Sequence, residues 1–260
     1  MFAVLGPIEI TVDGRATLLR SEAQRSLFAA MLANRGNPVG VHTLISELWE
    51  DPPRSAENAL QAHVSRLRRR LAALEPGRND SRLITVPPGY QLSIDDDELD
   101  AAIFKRRIRR IQNDTAMPAS DVADTIRQAL SLWRGPAFGG QVRGALGQSL
   151  AARYEQARLS ALGRLYDSEL KLGRDMEIVA ELSELVELEP LNERFCEQLM
   201  IALYRSGRQA DALAAYRRLR ARMDNELGVE PSPAIRKFEV AVLAHDPKIG
   251  PRADHLALRS

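Results

Sequence analysis

The sequence has one cysteine, Cys196, in 260 residues, so no disulfide can form within a chain. Its four histidines fall at no zinc-ligand spacing. A reducing cytoplasm fits that usage, and neither a metal nor a cofactor is expected. Long apolar runs are absent too. Nothing approaches the roughly 18 uninterrupted apolar residues that a membrane span needs. Residues 1–12 alternate apolar with polar, where a secretion signal would run from basic to apolar. A cytoplasmic protein with no membrane attachment is the expectation. Charge of one sign is also scarce: 36 basic against 35 acidic residues leave a net charge of +1. Bulk electrostatics therefore argue neither for nor against a nucleic-acid partner, and any such case must be local. Aromatics make up 5% of the chain and are dispersed, which excludes a base-stacking platform for single strands.

Catalytic constellations are missing in the same way. Glu181 and Glu184 share one side of a helix without histidine or cysteine partners, and read as solvated charges. Ser149 and Ser168 have no triad-like motif around them. Cys196 sits at helical spacing from Leu199 and Leu203 as a small buried hydrophobe would, and Trp49 and Trp133 read as core anchors. No enzyme is expected.

The first twenty residues read as strands. Ile8, Ile10 and Val12 alternate with Glu9 and Thr11, and Asp13-Gly14 supplies a hairpin turn before Leu18-Leu19. Ser21 and Gln24 have the spacing of a capping box ahead of a first helix through Leu27, Phe28, Met31 and Leu32. Leu44, Ile45, Leu48 and Trp49 predict a second helix, stopped by the two prolines of "EDPPR". Ser55 can cap a third. Leu83 to Val86, the turn Pro87-Pro88-Gly89, and Tyr90 to Leu92 complete the unit as a hairpin.

The acidic run "DDDELD", Asp95 to Asp100, marks a change of character, since the rest of the chain is helix-rich. The expected division is a mixed α+β domain over 1–95, an all-α domain over 96–247 and a disordered tail over 248–260, mainly α in total. In the second domain "LKLGRDMEIVAEL" at 170–182 aligns with "YRSGRQADALAAY" at 204–216, placing Gly173, Arg174 and Leu182 34 residues before Gly207, Arg208 and Tyr216. That is the period of tetratricopeptide repeats, with Pro190 ending a unit. Two units are fewer than an independent array needs, so the helices of 99–133 and 151–172 must share the same core.

The third helix, "NALQAHVSRLRRRLAAL", packs four arginines into five positions. At about 100° per residue, Leu60, Val64, Leu67 and Leu71 share a narrow arc that a core would bury. The opposite side then presents Ser55, Asn58, Ala62, Ser65, Arg66 and Arg69. His63 and Arg70 lie on one flank and Arg68 on the other. Seven arginines against three acids between residues 54 and 82 give a local balance of +4. A face that is slender at its start and cationic at its end suits a major groove between phosphate walls. Charged residues on a helix are ordinarily just solvated. The order of three helices and a hairpin is, however, that of a winged helix-turn-helix, whose last helix enters the groove. Tyr90 reads equally as a half-buried core residue or a phosphate contact.

The segment "SAENALQAHVSRLRRRL…RLITVPPGYQL" resembles the effector domain of OmpR-type winged-helix regulators. The segments "ALSLWRGPAF", "EPLNERFCEQLMIALYRSGRQADALAAYRRLR" and "ELGVEPSPAIRKFE" look like the bacterial transcriptional activation domain. Their order over roughly 1–247 is that of the Streptomyces antibiotic regulatory protein family. The resemblance implies an activator that binds promoter direct repeats in double-stranded DNA, as a homodimer or higher oligomer, and engages RNA polymerase holoenzyme. It implies that Ala62 approaches a base, that Arg66 is the chief base or phosphate reader, and that His63, Ser65, Arg68, Thr85 and Tyr90 meet phosphates, with Asn58 and Arg69 on the same face. Ser65 is commonly arginine in such proteins, which weakens or shifts its contact. The loop of Glu50, Asp51, Pro52, Pro53 and Arg54 resembles the segment that touches the polymerase. Gly40 stands where a serine often caps the second helix. No receiver domain precedes the winged helix and no Gly-x-x-x-x-Gly-Lys-[Ser/Thr] loop follows the helical domain, so a short two-domain member without nucleotide control is the expectation. A helical-repeat adaptor that binds protein partners, or a repressor with the same fold, are the alternatives.

Overall fold

The computed structural model describes residues 1–250. Strands β1 (Phe2–Ala3), β2 (Glu9–Val12) and β3 (Arg15–Leu18) form an antiparallel sheet in that order. Asp13 and Gly14 both have positive φ, 47° and 73°, which a two-residue hairpin turn requires. Next come α1 (Glu22–Ala33), β4 (Val39–Gly40), α2 (Val41–Leu48), α3 (Ala56–Leu74), β5 (Leu83–Val86) and β6 (Gly89–Leu92). The second sheet has the order β4-β6-β5. Two residues are too few to show a strand pattern, and β4 has no signal in the sequence. Gly89 faces Gly40 across β4 and β6, where a Cβ would overlap the Val39 carbonyl. Only glycine permits that approach.

Leu27, Phe28 and Met31 of α1, Leu44 and Leu48 of α2, and Leu60, Val64, Leu67 and Leu71 of α3 are buried together with Leu83 and Leu92. The caps depart from expectation. Ser21 precedes α1 but makes no side-chain cap bond, and the Gln24 side chain is buried. Ser55 stands at the start of α3 with φ −102° and ψ 29° and no side-chain cap bond. The Ala56 N–H turns back to the Pro53 carbonyl at 2.9 Å, so Ser55 lacks the extended backbone that aims a capping hydroxyl. Gly40 does occupy the cap of α2 in extended conformation.

Beyond the wing lie α4 (Asp100–Asn113), α5 (Ala119–Leu130), α6 (Ala145–Lys171), α7 (Asp175–Leu188), α8 (Glu193–Arg205), α9 (Gln209–Leu227) and α10 (Pro233–Leu243). Two compact units result among the described residues, one of residues 1–113 with 128–159, the other of 114–127 with 160–250. The acidic run thus lies inside the first unit, and α4 and the first half of α6 belong to it. The helices expected to share the repeat core are therefore divided between the two units.

The second unit contains the 34-residue repeat. Gly173 and Gly207 turn with φ 73° and 79°, Arg174 N–H donates to Glu169 O at 3.1 Å, and Arg208 N–H to Leu203 O at 2.8 Å. The same left-handed helix end recurs at the aligned positions, and the aligned Leu182 and Tyr216 are both buried. Pro190 follows the end of α7. A short 3-10 turn, Pro247–Ile249, runs into the start of the tail expected over 248–260, of which 251–260 lie outside the described residues. No helix among the described residues is long and apolar enough to cross a membrane.

Candidate nucleic-acid interface

Burial of Leu60, Val64, Leu67 and Leu71 fixes the rotation of α3. Asn58, Ala62, Ser65, Arg66 and Arg69 are accordingly exposed, while His63, Arg68 and Arg70 are half-buried on the flanks. The arginines have different occupations. Arg66 Nε donates back to the Ala62 carbonyl at 3.2 Å, which leaves its outer guanidinium nitrogens facing solvent. Arg69 has no hydrogen bond or ion pair among the described residues. Arg68 Nε donates to Leu83 O at 2.8 Å and a terminal nitrogen to Thr85 Oγ1 at 3.1 Å. Arg70 donates to Leu18 O at 2.6 Å. The two flanking arginines therefore brace α3 against β5 and β3.

Arg82 leaves the surface altogether. It is buried, donates to both Glu75 oxygens at 2.6 and 2.8 Å, pairs with Glu98, and lies 5.1 Å from the Phe2 ring centroid. The Glu98 carboxyl is thereby held down to about 2, mainly by the Arg82 hydrogen bond. Glu75 is lowered by the same partner. The local excess of seven arginines is real in number, but the outward cations near the helix are Arg54, Arg66, Arg69 and Arg78.

His63 stacks at a tilt on Trp49, ring centroids 6.0 Å apart. Burial and the neighbouring Arg66 charge push its pKa below 6.5, which favours the neutral ring. Trp49 is half-buried, a bridge between α2 and α3 more than a core anchor. The adjoining loop Glu50, Asp51, Pro52, Pro53 and Arg54 is exposed throughout. In the wing, Thr85 is exposed and opposes Tyr90. Tyr90 is buried at 9% exposure, which suits its core reading.

Glu47, Asp100, Glu169 and Asp175 are buried with no sign of it in the sequence. Glu47 of α2 accepts the N–H groups of Leu146 and Gly147 at 2.9 and 3.2 Å, satisfying orphan donors in the first turn of α6. Asp100 accepts from Val4 and Leu5 at 2.9 to 3.0 Å, and burial pushes its pKa up against those bonds. Elsewhere, burial drives the Cys196 thiol up to about 12, the setting of an inert hydrophobe. Glu181, read as solvated, accepts from Arg127 at 3.4 Å and Tyr166 at 3.3 Å.

Residues 15–92 match the transcriptional regulatory protein C-terminal domain, and residues 99–243 the bacterial transcriptional activator domain. The transcriptional regulator RedD of Streptomyces coelicolor is 38% identical over 94% of this chain and 70% of its own length. The regulatory protein DnrI of Streptomyces peucetius is 35% identical over 95% and 93%, whereas AfsR of Streptomyces coelicolor, 37% identical, is covered over only 24% of its length. A solved structure of Mycobacterium tuberculosis EmbR in complex with a low-affinity phosphopeptide superposes with a TM-score of 0.78 at 30% identity, over 95% of this chain and 65% of that one. The chain belongs to the Streptomyces antibiotic regulatory protein family of transcriptional activators, with an OmpR-type winged helix and a bacterial transcriptional activator domain.

Proposed function

We propose that this chain is a sequence-specific, double-stranded DNA-binding activator of a secondary-metabolite gene cluster, acting in the cytoplasm by recruitment and not by chemistry. The observation that carries the reading is the rotation of α3: the buried Leu60, Val64, Leu67 and Leu71 turn Asn58, Ala62, Ser65, Arg66 and Arg69 outward. In the proposed complex that face lies in a major groove, with Ala62 and Arg66 at base edges, and Asn58, His63, Ser65 and Arg69 along the phosphate walls. Arg68 holds the wing at Thr85, and the wing lies against the DNA backbone. Two or more protomers occupy successive direct repeats, about one helical turn apart. The loop Glu50 to Arg54 presents itself to RNA polymerase holoenzyme. We take residues 1–95 as the DNA-reading module and 96–247 as the activation module.

Titrating the protein onto promoter DNA at several stated salt concentrations tests the binding step. A salt-dependent shift on promoter DNA supports it, and no shift favours a protein-binding adaptor. Transcription in vitro with and without the protein then separates an activator from a repressor.

A further inference from the structure

Net charge hides two segregated helices. Helix α4 carries Lys105, Arg106, Arg107, Arg109 and Arg110 against one acid, the buried Asp100. Arg106 pairs with Asp97 and Arg107 donates to Gln128 O at 2.6 Å. Lys105, Arg109 and Arg110 are exposed and have no ion pair among the described residues. At 100° per residue these three span an arc of about 140° on the side away from the buried Ala101, Phe104 and Ile111. Helix α7 is the converse, with five acids and no lysine or arginine. Glu187 pairs with Arg222 and Glu181 meets Arg127, while Glu177 and Glu184 are exposed and, with Glu181, fall within about 60° of one another. Leu188 shares that arc and is 70% exposed.

The DNA of the reading site is a poor occupant for α4. Helix α3 is braced to β3 through Arg70 and Leu18. Leu99, at the start of α4, bridges to Phe2 of β1, the opposite edge of that sheet. Proteins on direct repeats stand head to tail, which demands two different complementary surfaces on each copy. A basic helix and an acidic helix supply such a pair, and like charges disfavour α4 against α4 or α7 against α7.

We propose that the basic face of α4 on one protomer docks on the acidic face of α7 of a second copy when both occupy neighbouring direct repeats. This interface rests on the proposed binding to direct repeats.

The test uses the full chain, DNA with one or two repeats, and two charge reversals: Arg109→Glu with Arg110→Glu, and Glu177→Lys with Glu184→Lys. Each variant alone should keep one-site affinity within about twofold and lose about tenfold or more of two-site cooperativity. An equimolar mixture should regain it, because a mixed pair sets either reversed α4 against reversed α7 or native α4 against native α7, depending on its order along the DNA. A mixture no better than either variant alone overturns the interface, as do variants that keep wild-type cooperativity. A drop in one-site affinity on reversing α4 also overturns it and makes α4 a DNA-backbone contact. A wild-type protein without two-site cooperativity overturns the direct-repeat reading itself. Should a reversal unfold the chain by circular dichroism, the glutamine versions take its place, with a partial loss supporting the interface and no loss overturning it.

Discussion

Arg68 Nε donates to the Leu83 carbonyl at 2.8 Å while the same guanidinium donates to Thr85 at 3.1 Å, so the reading helix holds its own wing. Bonds from an ionised donor are among the stronger ones, and a short strand such as β5 depends on them for its position. Replacing Arg68 with alanine should weaken DNA binding on every sequence by freeing the wing. The slope of log affinity against log salt should stay unchanged. A slope lower by about 0.9 would mean that Arg68 releases a counterion itself and meets a phosphate.

The pair of Glu75 and Glu98 around Arg82 predicts an acid-sensitive fold. Glu98 drops from 4.5 to about 2 on folding, so its contribution is present above the unfolded value and lost as pH falls from about 4.5 toward 2. Asp100 is raised and acts in the opposite direction, favouring the fold as it protonates. Thermal unfolding against pH should therefore lose less stability over that window in Glu98→Gln than in the wild type. Parallel curves would refute the assignment.

Arg82 itself should be costly to remove. Arg82→Ala leaves two acids facing each other next to Phe2, and breaking a buried ion pair costs about 3–5 kcal/mol, toward the lower end here because Glu98 keeps some solvent contact. Urea unfolding measures it. A loss below about 1 kcal/mol would show that the carboxylates relax into water.

Glu47→Ala should destabilise the first unit by about 1–3 kcal/mol, since the buried Gly147 N–H and its neighbour Leu146 lose their acceptor. Hydrogen exchange should speed up at residues 145–148 ahead of the rest of α6. Unchanged exchange there would rule out the capping role.

The rotation of α3 is legible in the sequence because one helix face is a local, periodic property of Leu60, Val64, Leu67 and Leu71. The 34-residue repeat is legible for the same reason, as Gly173 and Gly207 mark matching turns. Pairings at long range leave no such trace. In the sequence Arg82 is one more surface cation, and only folding brings Glu98, 16 residues away, beside it. Asp100 ends the acidic run that marks the change of character in the sequence, yet it meets Val4, 96 residues away. The spacing of Ser21 and Gln24 suggests a capping box that does not form, and Gln24 is buried by packing that local spacing does not reveal.

Whether Arg66 reads a base is decided by selection of bound DNA from a random pool, with wild-type protein and Arg66→Ala in parallel at one stated salt concentration. The wild type should select a defined repeat, and the variant should relax its preference at one position per repeat. Binding of the variant to the selected site should be about 1–3 kcal/mol weaker, with little change on scrambled DNA. Equal losses on selected and scrambled DNA would contradict base reading by α3 and reduce Arg66 to a phosphate contact.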